Sequence, residues 1–230
     1  MRSDTKLRRL AAAGLAAIIV LTAPALAAVP GNGRIEFDVL RDGKTPMGSH
    51  SLRFEQRGEE LHVFVEIDLE VKLAFVTLFS YAHRNHEVWK DGRLIAIETE
   101  TDDDGESYFV RGTASAEGFR VETKDGVEIL PADVYPTSYW QYATVERDEL
   151  LDTQRGNLVD VATQALRQET ISIDGVPIEA THYRMSGDLD LELWYAPNGE
   201  WVKIAFAARG TDVVYDREQA SPQLAEMAAE

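Results

Sequence analysis

The sequence predicts an all-β protein: an antiparallel meander of strands that curls into a barrel or a deep half-barrel, with one short helical interruption near residues 137–151. Apolar and polar residues alternate along many short segments, which is typical of a sheet with one face in water. Asp-Gly and Asn-Gly pairs separate these segments, and such pairs favour tight hairpin turns because both residues tolerate positive φ.

The first 27 residues are predicted to be a secretory signal peptide that is cleaved after Ala27. Basic residues at positions 2–9 precede a short apolar stretch, Leu10 to Leu21, and small residues then flank Leu26. The alternative is an uncleaved membrane anchor, for which the apolar stretch is short. The general and twin-arginine routes both remain open, and the predicted location is the periplasm.

The strands are predicted in chain order, and their short connections favour antiparallel neighbours. The first series covers residues 34–40, 47–56, 61–71, 80–90, 93–101, 106–115, 119–123 and 127–130. The second series covers residues 158–167, 169–173, 176–185, 188–195, 201–209 and 211–216. A sheet of so many twisted strands curls, which also protects its edges.

Three of these segments show the period of two clearly. In the first strand, Ile35, Phe37 and Val39 share one face. In the segments 61–71 and 188–195, the apolar residues alternate with acidic ones, including Glu66, Asp68, Glu70, Asp188, Asp190 and Glu192. The acidic faces belong in water and the apolar faces in a core, so these strands do not suit the lipid-facing wall of a membrane barrel.

Two segments depart from the strand pattern. The stretch from Pro131 to Arg155 is long for a hairpin loop, and Thr137 or Ser138 could cap one or two helical turns there. Long ordered connections in small domains often serve as lids or plugs. The apolar stretch from Leu73 to Phe79 is either a buried strand or a short helix.

The domain organisation is predicted to be simple. Residues 28–218 form a single β-rich domain, because no repeat and no Ser- or Pro-rich linker divides them. The tail, residues 219–230, is rich in Ala, Gln and Glu and is expected to fray.

Charge and cysteine content restrict the partners. The chain has 23 basic and 40 acidic residues; the signal peptide holds four of the basic and one of the acidic residues, so the mature net charge is −20. A domain this negative is repelled by phosphate backbones, so we expect no nucleic-acid partner. The absence of cysteine excludes a lipid anchor on the mature chain, disulfides and thiolate metal sites. We expect no metal ion and no cofactor, and the oligomeric state is left open.

Four segments together resemble a bacterial family of exported proteins classed as a domain of unknown function. They are residues 81–89, 136–140, 153–156 and 187–195, and the resemblance covers about residues 33–216. The chain also resembles, more loosely, other exported β-rich families of unknown function and half-barrels similar to lipoprotein carriers. The resemblance implies export and a β-rich fold, and it assigns no catalytic residue.

Six residues are the candidates for ligand binding: Tyr81, His83, Trp89, Tyr139, Trp140 and Trp194. Their aromatic rings either pack in the core or line an apolar pocket in the mouth of the curled sheet, where small barrels hold ligands. We predict that Trp140 folds over the open end of the sheet and closes an apolar site against Trp89 or Trp194.

The leading hypothesis is a soluble periplasmic binding or carrier module for an apolar or lipid-like small molecule. A hydrolase or isomerase that uses His83 and Glu87 is one alternative, although no nucleophile motif supports an enzyme. The other alternative is a structural or assembly partner that binds protein through a sheet edge.

Overall fold

Short hairpin turns join most of the strands of this protein. The computed structural model describes residues 29–73, 76–208 and 210–229, and these residues form fourteen strands. The predicted signal peptide lies outside these residues. The first eight strands are β1 (Arg34–Arg41), β2 (Thr45–Arg57), β3 (Glu60–Leu73), β4 (Val76–Lys90), β5 (Arg93–Asp103), β6 (Glu106–Ala114), β7 (Phe119–Thr123) and β8 (Gly126–Leu130). The other six are β9 (Glu149–Leu151), β10 (Leu158–Ile173), β11 (Val176–Gly187), β12 (Leu191–Tyr195), β13 (Trp201–Ala208) and β14 (Thr211–Arg217).

All fourteen strands belong to one antiparallel sheet. Consecutive strands pair with each other, apart from β8 and β9, which form the two ends of the sheet. In addition, β1 pairs with β14 in the middle of the sheet. The sheet is therefore curled but not closed, and the predicted antiparallel meander is confirmed. The helical interruption is also confirmed, as a 3₁₀ helix at Tyr142–Glu146.

Two details of the strand prediction are wrong. The segments 158–167 and 169–173 form one strand, β10, in which a bulge between Ala165 and Arg167 leaves Leu166 42% exposed. A bulge adds one residue without a turn, so the alternation shifts and imitates a break. In the apolar stretch 73–79, Leu73 ends β3 and residues 76–79 begin β4, so the described part is strand; it is not fully buried, because Leu78 is 55% exposed.

The prediction of a frayed tail also needs correction, because residues Pro222–Met227 form a short helix, α1. Ser221 caps this helix by accepting a hydrogen bond from the backbone N–H of Leu224, and the Leu224 side chain is fully buried. The Ser221 hydroxyl also donates to Glu200, which forms a buried ion pair with Arg217 at the end of β14. The buried Leu224 side chain and the hydrogen bond from Ser221 to Glu200 therefore hold the capped helix on the sheet.

Apolar residues pack on both faces of the sheet, to different extents. The larger core fills the concave inner face, where Phe37, Leu52, Val63 and Trp201 are fully buried. The smaller one lies under α1 on the outer face of β10–β13. The segment 131–148 packs against the inner core, and this packing forms the surroundings of the candidate site.

Candidate functional site

One row of inward-facing residues crosses six neighbouring strands. Residues directly opposite each other in antiparallel strands point to the same face. The register therefore aligns Phe37, His50, Ile67, His83, Thr101 and Tyr108, on β1 to β6 in that order. Polar residues at these positions face the interior of the curled sheet, so this row places two histidines where a core residue would otherwise lie.

A pocket opens at this row, between the sheet and the segment that follows β8. Its volume is about 360 Å³, near the lower end of the range of small-molecule sites. The inner wall carries the two histidines and several aromatic rings, with Ile67, Ile204 and Phe206 as further apolar surface. Asp152, Asp188 and Asp190 also border the pocket, and the last two are exposed. The pocket thus has an aromatic interior and an acidic mouth.

His50 is the most unusual residue of the pocket. It is 4% exposed, and neither ring nitrogen has a hydrogen-bond partner among the described residues. Its ring contacts the edges of Trp201 and Tyr215, each at a centroid distance of 5.5 Å. Burial, helped by the nearby His83, lowers the pKa of His50 to about 3, so the imidazole is neutral at physiological pH.

His83 lies two strands from His50 and is also buried. Its Nδ1 is 2.7 Å from the hydroxyl of Thr101, which fixes the ring against β5, and it stacks on Tyr81. Burial lowers the pKa of His83 to about 4, with a smaller contribution from the charge of Arg84. The Tyr81 hydroxyl donates to Gln154 at 3.3 Å, which links this wall of the pocket to the segment after β9.

The neighbouring part of the core contains a buried carboxylate, Glu87. It is completely buried and accepts hydrogen bonds from Asn85 Nδ2 at 2.8 Å, Trp89 Nε1 at 2.8 Å and Trp140 Nε1 at 3.0 Å. Burial raises the pKa of Glu87, and the donors, which include Ser138, oppose that rise. Because Trp140 lies 53 residues away in the chain, Glu87 attaches the segment 131–148 to the sheet.

Tyr139 brings that segment to the pocket. Its φ of 57° lies in the left-handed region, which is uncommon for a residue other than Gly, Asn or Asp. Its carbonyl accepts a hydrogen bond of 2.6 Å from the Tyr195 hydroxyl, and its ring lies 6.1 Å from that of Trp201. The turn lets Tyr139 face the pocket while the next residue, Trp140, points into the core.

The six ligand-binding candidates divide into three groups. Tyr81, His83 and Tyr139 line the pocket. Trp89 and Trp140 are buried beside it and meet edge to face at 5.6 Å, as part of the Glu87 cluster. Trp194 lies on the outer face, stacked on His182 at 4.1 Å and bonded to Glu169, so it cannot close the pocket against Trp140.

The proposed acid–base pair of the alternative enzyme is separated. His83 and Glu87 lie four residues apart on one strand, roughly 13 Å along it. His83 borders the pocket, whereas Glu87 is completely buried and already holds hydrogen bonds from its neighbours. The geometry brings no single reacting atom within reach of both side chains.

Most of the other pocket residues were not among the sequence-based candidates, and they include His50 and the two aromatic residues that its ring contacts, Trp201 and Tyr215. The period of two provides a signal for His50, because Leu52 and Phe54 occupy the next inward positions of β2 and both are buried. Trp201 and Tyr215 lack such a signal, since an inward aromatic residue on a strand looks the same in a core as in a pocket.

A larger groove lies between β8 and the loop 154–157, with a volume of about 490 Å³. Lys124 and Tyr108 border it, and the lysine is ion-paired with Glu106 at 3.0 Å. None of the buried unpartnered polar groups of the described residues borders this groove, unlike the pocket that contains His50. We therefore take the smaller pocket as the candidate site.

Neither a metal-binding cluster nor a membrane-spanning helix occurs within the described ranges 29–73, 76–208 and 210–229. No group of three or more His, Cys, Asp or Glu side chains is arranged to hold a metal ion there. In the same residues, no helix has the length and apolar character needed to cross a membrane.

Comparisons with known proteins support the fold and leave the chemistry open. A family model described as a domain of unknown function (DUF6134) matches residues 37–218. The chain is similar to a solved structure described as a beta-barrel-like protein of domain of unknown function DUF1849 from Brucella abortus, with a TM-score of 0.59. The two are 12% identical, and the similarity covers 81% of this chain and 95% of the other, which shows the fold alone. No curated protein matches the chain.

Proposed function

We propose that this chain, which belongs to the family described as a domain of unknown function (DUF6134), is a periplasmic binding or carrier protein for an apolar or lipid-like small molecule. The observation that carries the proposal is the pocket at His50, whose wall is mostly aromatic and aliphatic and opens to solvent beside Leu189. Concave, mostly apolar surfaces with a few polar groups are typical of small-molecule sites.

The dimensions of the pocket restrict the ligand. A volume of 360 Å³ corresponds to about a dozen water molecules in the liquid. A two-ring molecule or a short acyl chain fits this space, whereas a two-chain lipid would place only one end in it. The exposed carboxylate of Asp188 at the mouth disfavours ligands with several negative charges, whereas that of Asp190 is paired with Arg184 at 2.8 Å.

The other two functions have weaker support. The separation of His83 from Glu87 removes the residue pair on which the enzyme hypothesis depends. The sheet ends, β8 with five residues and β9 with three, are short, which is how many soluble proteins limit pairing with other chains.

The first prediction tests ligand binding. Titration with the neutral apolar probe N-phenyl-1-naphthylamine should show saturable binding, and Leu189→Arg should weaken it at least tenfold, because a charged side chain would occupy the mouth of the pocket. The matched control is Leu166→Arg, which places the same charge on the exposed bulge of β10. Equal binding by the two variants would contradict the proposed site. If the probe binds as expected, mass spectrometry of small molecules extracted from periplasmic protein would identify the natural ligand.

The second prediction tests export. Protein recovered from the periplasm should begin at Ala28, because cleavage after Ala27 satisfies the small-residue rule for signal peptidase. Edman sequencing or mass spectrometry of the intact protein provides the measurement. A mature protein that retains Met1 would contradict the periplasmic part of the proposal and leave the binding part unaffected.

A further inference from the structure

We propose that His50 and His83 form the polar end of this pocket and select apolar molecules that carry one neutral hydroxyl group. This inference rests on the proposed function and adds the chemical class of the ligand. It starts from the two imidazoles, which share the inward row of the sheet on β2 and β4.

The first step is the unsatisfied capacity of His50. Burying a polar group without a hydrogen bond is costly, and most buried polar side chains in folded proteins have partners. Both ring nitrogens of His50 lack one within the described chain, although the residue borders a pocket large enough for a ligand. A ligand group that forms a hydrogen bond with this ring offsets the free energy lost by burying it. Ligands with such a group should therefore bind more tightly than ligands without one.

The second step is the protonation state of the two rings. Both are neutral near pH 7, since burial keeps their pKa values at about 3 and about 4. A neutral imidazole offers one N–H donor and one acceptor nitrogen. The complementary ligand group is itself neutral and can donate and accept, as a hydroxyl does. An ether or a hydrocarbon cannot satisfy the acceptor nitrogen.

The third step excludes charged ligand ends at this depth. Among the described residues that border the pocket there is no Lys or Arg, so a carboxylate or phosphate would be buried without a counter-ion. An ammonium group would find its carboxylate partner at the mouth, near Asp188, and would leave His50 unsatisfied. The neutral hydroxyl is therefore the favoured group.

The fourth step is the spacing of the two rings. His50 and His83 are two strands apart, roughly 10 Å between backbones, with Ile67 between them. One small molecule can reach both, with its hydroxyl at the histidines and its apolar body against Phe206, Ile204 and Leu191. Because the histidines are almost fully buried, the polar group enters first.

The third prediction tests this selectivity with a matched set of two-ring probes: naphthalene, 2-naphthol, 2-methoxynaphthalene and 2-naphthoate, titrated at pH 7 by calorimetry. We expect 2-naphthoate to bind most weakly. We also expect the ratio of the dissociation constants of 2-methoxynaphthalene and 2-naphthol to fall about tenfold in His50→Phe, because one hydrogen bond to a buried group is lost. The control His62→Phe replaces a histidine outside this pocket and should leave the ratio unchanged.

The outcomes separate the two proposals. An unchanged ratio in His50→Phe, with naphthalene still bound, overturns the hydroxyl selectivity and leaves the binding function standing. If 2-naphthoate binds most tightly, the neutral-ligand argument is wrong. If wild-type protein binds none of the four probes, the proposed function and this inference fail together. Should His50→Phe not fold, His83→Phe takes its place, with the same expected direction and the same contradictory result.

Discussion

Truncation of Trp140 to Ala should lower the free energy of unfolding by about 3–5 kcal/mol, the usual cost of removing a fully buried Trp side chain. The indole is 1% exposed and packs edge to face on Trp89 and Phe54. Its N–H also donates to the buried Glu87, so truncation removes one partner of a carboxylate that water cannot reach. Urea unfolding followed by far-ultraviolet circular dichroism measures the loss.

A more conservative change separates packing from hydrogen bonding. Trp140→Phe keeps an aromatic ring and removes the N–H, so we expect a loss of about 1–3 kcal/mol, typical of leaving a buried acceptor without its donor. The matched control is Trp194→Phe, which removes an indole–carboxylate bond to Glu169 on the outer face. Glu169 is partly exposed, so solvent compensates and the loss should be smaller.

The same variants distinguish a core residue from a lid. Our sequence-based hypothesis places Trp140 over the open end of the sheet, where truncation would cost little stability and would weaken probe binding. The geometry favours the core role, since the pocket is bordered by Tyr139 and not by Trp140. A loss below about 1 kcal/mol in Trp140→Ala, together with abolished binding of N-phenyl-1-naphthylamine, would restore the lid hypothesis.

The fold follows from the sequence because its determinants are local. Alternation and Asp-Gly turns are visible in short windows, and thirteen of the fourteen strands correspond to predicted segments. The exception is β9, three residues long, which lies inside the interruption and has no room to show a period. The helix α1 was not predicted, for another reason. Its capping residue, Ser221, is visible in the sequence, but the hydrogen bond from Ser221 to Glu200 requires the folded sheet.

The site could be predicted only in part, because its determinants are long-range. Tyr81 and His83 stand out by residue type, and Tyr139 by its position in an irregular segment. The meeting of Glu87 with Trp140 depends on how the segment 131–148 crosses the sheet, which no local pattern encodes. His50 occupies an inward position that the alternation reveals, yet only the structure shows that its ring lacks a partner.

The buried histidines should make the protein sensitive to acid. In the folded protein the pKa of His50 is about 3 and that of His83 about 4, whereas an unfolded His has a pKa of about 6.5. Between these values the unfolded chain binds more protons than the folded protein, so the free energy of unfolding falls as the pH is lowered. Each histidine contributes a slope of about 1.4 kcal/mol per pH unit, and the slope begins near pH 6.5.

Other titratable groups also contribute to the pH dependence, most of them in a different pH range or in the opposite direction. Glu70 and Glu169 have lowered pKa values because their carboxylates accept hydrogen bonds, first of all from Lys72 and Trp194 respectively. Their stabilising effect is lost only below the ordinary glutamate pKa of about 4.3. Glu87, whose pKa is raised by burial, takes up a proton in the folded state first and so opposes the histidines as the pH falls. Between pH 6 and pH 5, Glu218, whose pKa burial also raises, acts with Glu87 against the histidines, and the partly exposed His86, whose pKa burial lowers, acts with them. The contribution of His50 is therefore measured as a difference between variants.

His50 and His83 together should accordingly contribute a loss of about 2–3 kcal/mol to the free energy of unfolding, measured in urea, between pH 6 and pH 5. In His50→Phe about half of this slope should disappear, because one of the two buried imidazoles has been replaced by a ring that does not titrate. The matched control is Phe37→Leu, a substitution next to His50 that lowers stability through packing and keeps the wild-type slope. Identical slopes for wild type and His50→Phe would mean that His50 accepts a proton in the folded protein as easily as in the unfolded chain. In that case the ring would present a positive charge to the pocket in this range, and the argument for a neutral ligand would lose its basis.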